Sequence, residues 1–332
     1  MAWFYDAHAT ASPAKKEKKS AYSEEDDILN KWLITGANGN LGQRLIRTLL
    51  ENQVDLPQVV AVVRSQRAAG QLEALAAEAA GRLEIQVIDY TDVQALAAAA
   101  QGCDAAVHLV GILKEAQGAS YVTAHEESCT ALAEALASSH VQHVCYLSIV
   151  GSTPQAANPC LASKGRAEQI LRQMSIPTTI LRVPMVLGEG DYASFALRKR
   201  ATAGTSFTFR AASMEQPIYA GDVIRAVLAA ASLRLDAEVN LGGPEVLSRR
   251  ALATRGATAL GNTTRVISLP YALGHGIAWL LERISANPPI TTAMLGVLDH
   301  DDEVEVQAAL TALQMDGLTS LDETLQLVLA TD

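Results

Sequence analysis

The 332-residue chain has no C-x-x-C pair, no histidine at zinc-ligand spacing, and no apolar run of the ~18 residues that would span a bilayer. Its four cysteines, Cys103, Cys129, Cys145 and Cys160, offer no metal centre and read as reduced thiols of a cytoplasmic compartment. Clustered basic charge is missing too: 26 Lys and Arg residues are scattered against 36 Asp and Glu, a net charge of −10. That excludes nucleic acid as a partner, because phosphate binding needs a basic patch. The first 30 residues contain neither an apolar core nor a cleavage site for secretion. The expectation is a soluble cytoplasmic protein without a transmembrane span, or at most one attached peripherally to a membrane through a partner or a surface helix.

With 49% hydrophobic and 19% charged residues, the chain can bury a full core as one large domain or two interleaved ones. Residues 1–30 differ in character, with a basic cluster at Lys15–Lys19 and an acidic run at Glu24–Asp27, and read as a flexible tail. At its start Trp3, Phe4 and Tyr5 set three rings together, suited to docking on a partner protein or to folding back on the chain's own globule.

From Lys31 onward, short β-branched runs alternate with Ala/Leu-rich helical stretches. The pattern predicts an α/β fold, a doubly wound parallel sheet of the Rossmann kind. Strands are predicted at 32–35, 58–63, 83–88, 105–110, 143–148 and 178–183. Leu41, Leu45 and Leu49, and later Leu132 and Leu136, repeat at helical spacing between them. The sheet domain is bounded at 31–185, with 217–243 returning to it as a helix (219–235) and a short strand and turn (238–243). Residues 186–216, with Gly188, Gly190, Gly204 and few helical repeats, join 244–332 in a smaller, discontinuous, mainly helical C-terminal region. That region is expected over the strand ends, where ligands of such sheets bind.

The first strand runs into GANGNLG, which sets Gly36, Gly39 and Gly42 at G-x-x-G-x-x-G spacing before an amphipathic helix. Strand, glycine turn and helix in that order make a site where main-chain amides and a helix N-terminus face a pyrophosphate. An NAD site ends its second strand on an acidic residue for the ribose 2′-OH. Here the strand ends VVRSQR, with Arg64, Ser65 and Arg67. A guanidinium binds a 2′-phosphate through two parallel bonds where a carboxylate repels it, so NADP(H) is favoured over NAD(H). Asp89 and Tyr90 close the third strand, where a carboxylate could meet an adenine amino group or simply cap a turn.

The ordered motifs TGANGNLG, VVRS, VIDYTD, VHLVGI, YLSIVGS, SKGRAE and LRVPMVLGEGD, with YAGDVIRAV and LGGPEVLS later, resemble those of the atypical short-chain dehydrogenase/reductases. NPPITTAMLGVLDHDDEV and LTSLDETL are similar to the C-terminal region of one group of them. That group contains the nucleotide-binding accessory subunit of respiratory complex I and its bacterial relatives. The resemblance spans roughly residues 31–325. It implies that Gly36, Asn38, Gly39, Asn40, Leu41 and Gly42 cradle the phosphates and that Arg64 meets the 2′-phosphate. It further implies that Leu109, Val110 and Gly111 pass beneath the adenosine side, that Lys164 bonds the nicotinamide ribose, and that Pro184 borders the nicotinamide. His125 falls where extended members often have Asn, or is a packed helix histidine.

Active members of that superfamily place a tyrosine four residues before the lysine, which lowers the phenol pKa so that it can exchange a proton with substrate. In NPCLASKGRAE that position is Cys160, whose sulfur stops roughly 3–4 Å short of a phenolic oxygen. Beside Lys164 it could become a thiolate. The helper serine is displaced as well: Val150 stands at its expected position, with Ser148 and Ser152 as imperfect substitutes. Ser163 reads as a cap or a solvent-facing residue.

The first functional reading is an NADP(H)-binding accessory, assembly or structural subunit of a larger complex, such as an electron-transfer membrane complex, docked through residues 1–30. A second is an NADPH-dependent oxidoreductase or epimerase on a quinone-, isoprenoid- or sugar-like substrate, with a donor among Tyr192, Tyr219, Asp191 and Asp222. A third is a sensor of the NADPH/NADP⁺ ratio. The apolar stretch 269–281 is too short to span a bilayer. It suits a lipid surface, an isoprenoid tail or packing on the main domain, and exposure of Trp279 separates these.

Overall fold

The computed structural model describes residues 29–330 except 53, 117, 286–287, 289 and 298–300. The aromatic terminus and the charged runs of the tail lie outside the described residues.

Six strands follow the rhythm of the sequence: β1 (Lys31–Thr35), β2 (Gln58–Val63), β3 (Leu83–Val87), β4 (Ala105–His108), β5 (His143–Ile149) and β6 (Thr178–Val183). They pair in parallel in the order β3-β2-β1-β4-β5-β6, and a seventh strand, Ala237–Asn240, extends the β6 edge. Parallel strands covered on both faces need apolar residues at successive positions, which β2 supplies as Val59–Val63. Alternate residues enter opposite layers. Ile34 packs with Leu45 and Ile46 of the first helix, Asn40–Glu51, and Leu33 packs with Leu132 and Leu136 of the helix Ser128–Leu136. Each such buried side chain contributes about 1.5–3 kcal/mol.

The helix Pro159–Leu171 carries Cys160 and Lys164. Asn158 caps it, accepting from the amides of Cys160 at 2.9 Å and Leu161 at 3.2 Å, and Pro159 opens the first turn. Gly165 lets the helix close on the preceding loop, since a Cβ there would lie 2.3 Å from the carbonyl carbon of Thr153.

The stretch 186–216 holds more regular structure than its sequence suggests. A helix spans Tyr192–Thr202, and the strand Thr205–Phe209 pairs in parallel with Arg265–Leu269. Ser194, Leu197 and Ala201 are the buried residues of that helix, so two of its three inward positions are small or polar and hide the helical period. The strand Arg265–Leu269 also interrupts the helices of the last ninety residues. Leu187 and Leu197 pack with Leu252, Leu321 and Leu325 in one cluster, and buried Asp222 pins the later chain by accepting from the Thr319 amide and hydroxyl, both at 2.8 Å.

Candidate functional site

At the carboxyl ends of the adjacent strands β1 and β4, the chain departs toward opposite faces of the sheet. Such a switch point opens a crevice. Gly36 there has φ +72°, and a Cβ on it would lie 3.0–3.1 Å from the backbone of Leu109 and Val110. Only glycine meets both demands. The Gly39 amide donates to the Gly36 carbonyl at 3.1 Å, and Gly39 is the N-cap of the first helix, which no side chain caps. Gly42 brings the helix onto the loop: a Cβ would lie 2.5 Å from the Ala37 oxygen. First-turn amides at Asn40, Leu41 and Gly42, the positive helix end, and a cradle without side chains fit a dinucleotide diphosphate.

The two asparagine side chains serve the protein itself. Asn38 donates to Gln71 at 3.0 Å. Asn40 accepts from Arg44 Nε at 2.6 Å and donates to the Glu189 carbonyl at 3.1 Å. Arg44 also pairs with the Glu189 carboxylate at 2.6 Å, and the Tyr219 hydroxyl donates to it at 2.8 Å. Burial works to raise the Glu189 carboxyl, but its own backbone amide, Tyr219 and Arg44 overcome this and hold it below the usual range. The loop 188–191 is thereby strapped beside the glycine turn. Sequence reading missed this strap. Its only signals were an arginine one turn after Asn40 and a glutamate between two glycines.

On the adenosine side, Arg64 is exposed at the end of β2, close enough to Asp89 and Tyr90 for its charge to favour their ionised forms. Ser65 caps the helix Gln66–Gly70, accepting from the Ala68 amide at 3.3 Å, and Arg67 is exposed on that helix. Asp89 accepts from the Thr91 amide at 3.0 Å and hydroxyl at 2.9 Å, so it is a turn cap. Those bonds, with Arg64, hold its carboxyl below the usual range. The Tyr90 hydroxyl lies beneath the glycine turn, donating to the Val62 carbonyl at 3.5 Å. Burial raises it, and the Gly36 amide opposes the rise.

On the other side, Leu109, Val110 and Gly111 follow β4, and half-buried Pro184 follows β6. Lys164 is buried. Its Nζ donates to the carbonyls of Leu147 at 2.9 Å and Val110 at 3.4 Å, and lies 4.4 Å from the centre of the Tyr146 ring. A Cβ on Gly111 would lie 3.0 Å from that nitrogen, so the lysine reaches the crevice floor. His125 stands alongside on a π-helical turn, Val122–Glu127, fully buried, with Nε2 accepting from the Ile112 amide at 3.1 Å. Burial, then the charge of Lys164, lowers its pKa to about 3, so it is neutral.

Cys160 is fully buried and donates to the Ile112 carbonyl at 3.5 Å. Burial pushes its thiol up to about 11, against the pull of Lys164, which corrects the thiolate expectation. The nearby Tyr121 hydroxyl donates to the Leu113 carbonyl at 2.9 Å and is raised above the ordinary phenol value, chiefly by burial. Backbone at 112–113 therefore engages both groups. Ser148 is turned away: it donates to Glu168, which pairs with Arg182, and lies 3.4 Å from Ser152. Ser163 is fully buried, donating to Glu126 at 2.7 Å, so it neither caps the helix nor faces solvent. Among the other candidate donors, Tyr192 is exposed, Tyr219 is tied to Glu189, and Asp222 is buried against Thr319 and Arg225. Asp191 has its carboxyl raised by burial.

Burial lowers Lys164 from 10.5 to about 8, and Cys129, Cys160 and Glu168 restore it only in part. Between those values the unfolded chain holds the proton and the folded chain releases it, so this group makes stability rise with pH across that window. The buried thiols act oppositely above pH 9, because their folded values are raised. The difference between wild type and Lys164→Met isolates the lysine. In urea unfolding at stepped pH, wild type is expected to gain on the variant by at most about 1.4 kcal/mol per pH unit. A constant difference across the window would place the ammonium in water.

Parallel sheet, switch-point crevice and glycine cradle define a dinucleotide-binding α/β protein. The sequence model of the NAD(P)H-binding family matches residues 36–213, more than half of the chain, and the chain belongs to that family. None of the curated proteins matches it by sequence. Among solved structures, UDP-glucuronic acid 4-epimerase from Bacillus cereus in complex with NAD superposes with a TM-score of 0.68 at 20% identity, covering 90% of this chain and 97% of that one. A triphenylmethane reductase from Citrobacter sp. superposes with a TM-score of 0.69 at 19% identity, covering 91% and 100%. The UDP-N-acetylglucosamine 4-epimerase from Bacillus cereus gives 0.65 at 19% identity, with 91% and 99% covered. At these identities the likeness is one of fold.

Proposed function

We propose that the protein holds NADP(H) without the usual redox chemistry and serves as an accessory, assembly or structural subunit of a larger complex, docked in part through residues 1–30. The observation that carries this reading is Cys160. It stands four residues before Lys164, where a proton-donating phenol is required, and is a buried thiol bonded to the Ile112 carbonyl. Its short side chain cannot reach outward as a phenol does, and its raised pKa keeps it from acting as a nucleophile. Lys164 keeps a role that needs no tyrosine, since an ammonium at the crevice floor can bond a ribose hydroxyl. The cofactor would supply hydride chemistry when bound, while these residues bind and orient it.

NADP(H) rather than NAD(H) is supported by Arg64, which is exposed at the strand end where an NAD site would have a carboxylate. A nucleotide at 100 times its dissociation constant adds about 2.7 kcal/mol to stability. Protein purified from its native source without added nucleotide, with bound small molecules and companion chains identified together by mass spectrometry, is expected to carry NADP(H) and at least one partner chain. A preparation without nucleotide and without companions would sink the reading.

The second reading is an active NADPH-dependent oxidoreductase or epimerase on a sugar-like, quinone-like or isoprenoid substrate. The epimerases and the reductase sharing the fold support it, with the donor among Tyr192, Tyr219, Asp191 and Asp222.

A further inference from the structure

The helix Tyr271–Ile284 buries only Gly274 and Ala278. A Cβ on Gly274 would lie 2.7 Å from the Phe209 ring, so the helix sits close on the strand Thr205–Phe209 through its smallest residues. Its outward face is the apolar one. Leu273, Ile277, Leu280 and Ile284 recur at steps of four, three and four, and are 50%, 45%, 53% and 71% exposed. Trp279 beside them is 48% exposed, with the Arg283 guanidinium 4.1 Å over its ring. Past the helix end, Lys114 donates to the Pro288 carbonyl at 3.0 Å, and its neighbour Leu113 is exposed. The carboxylates there are exposed but engaged by the chain's own groups. Glu282 accepts from the Thr292 amide at 2.7 Å, and Glu115 accepts from the Tyr121 amide at 2.7 Å.

We propose that this face rests on a lipid bilayer, with the helix lying in the interface. A helix of a water-soluble surface buries its apolar stripe, whereas here the large apolar side chains are left exposed and only Gly274 and Ala278 are covered. The ring of Trp279 and the charged tip of Arg283 match the head-group level, where an apolar body and a polar end are satisfied together. A second copy of the chain is the weaker occupant. The 14-residue helix is about 21 Å long and 10–12 Å wide, so pairing would cover on the order of 500 Å² against the roughly 1,200 Å² of a stable dimer. Among the described residues no helix is long and apolar enough to cross a membrane, so the association is interfacial. With a net charge of −10 and, among the described residues, no cation cluster on this face, the attraction is hydrophobic and insensitive to salt.

Flotation of the full chain with vesicles of phosphatidylcholine and phosphatidylethanolamine tests this. Wild type is expected to float at low and high salt. The double variant Leu280→Glu/Ile284→Glu is expected to lose about tenfold or more of the bound fraction while keeping its thermal unfolding and NADPH affinity. Val54→Glu, a change at an apolar residue 88% exposed elsewhere, is expected to float like wild type. Brominated lipid is expected to quench tryptophan emission in wild type, and Trp279→Phe to remove most of that quenching. Wild type that does not float, a double variant that floats equally, or a concentration-dependent dimer abolished by the double variant would overturn the proposal. Because nucleotide affinity is read in the same samples, this failure is distinguishable from failure of the functional reading.

Discussion

Replacing Gly42 with alanine is expected to cost about a hundredfold in NADPH affinity and roughly 1–3 kcal/mol in stability, although it adds a single methyl group. The new carbon would stand 2.5 Å from the Ala37 oxygen and 2.8 Å from its carbonyl carbon and Cα. All three are backbone atoms of the turn that forms the cradle, so no side chain can swing aside. Relief comes only if the first helix backs away from the turn, and its first-turn amides then no longer converge on a diphosphate. Thermal unfolding and NADPH titration of the same variant read the two effects separately. Gly276→Ala is the control, because nothing lies within 4 Å of a Cβ there. A folded Gly42→Ala protein with unchanged affinity would move the nucleotide elsewhere.

Arg64→Glu is expected to lower NADPH affinity about a hundredfold while changing NADH affinity by no more than about threefold. The side chain is exposed at the end of β2, and its substitution leaves the core untouched. A carboxylate there would repel a 2′-phosphate and accept from a ribose hydroxyl, so the two cofactors should respond differently. Raising the salt concentration should narrow the wild-type preference for NADPH, since an exposed charge pair is screened. Equal losses for both cofactors would remove the case for the phosphate.

The sheet was legible in the sequence because parallel strands covered on both faces must be continuously apolar, and runs such as Val59–Val63 advertise that directly. The glycine cradle was legible for a similar reason, since close backbone approach leaves no alternative residue. Side-chain destinations were less so. Ser148 and Cys160 sit where the chain order suggested, but one faces Glu168 and the other the Ile112 carbonyl, and sequence spacing cannot say toward which neighbour a side chain turns. The helix Tyr192–Thr202 escaped because serine and alanine fill two of its inward positions. The outward apolar face of Tyr271–Ile284 was ambiguous for the opposite reason: a run apolar on several sides does not reveal which side is covered.

The central claim is that the crevice binds a nicotinamide dinucleotide while no group beside Lys164 supplies the proton that turnover needs. Binding and consumption of NADPH, followed on one preparation in the presence of quinones and carbonyl compounds, test it most directly. The account predicts saturable binding without consumption above the protein-free control. Sustained turnover that Cys160→Ser or Asp191→Asn abolishes would contradict it.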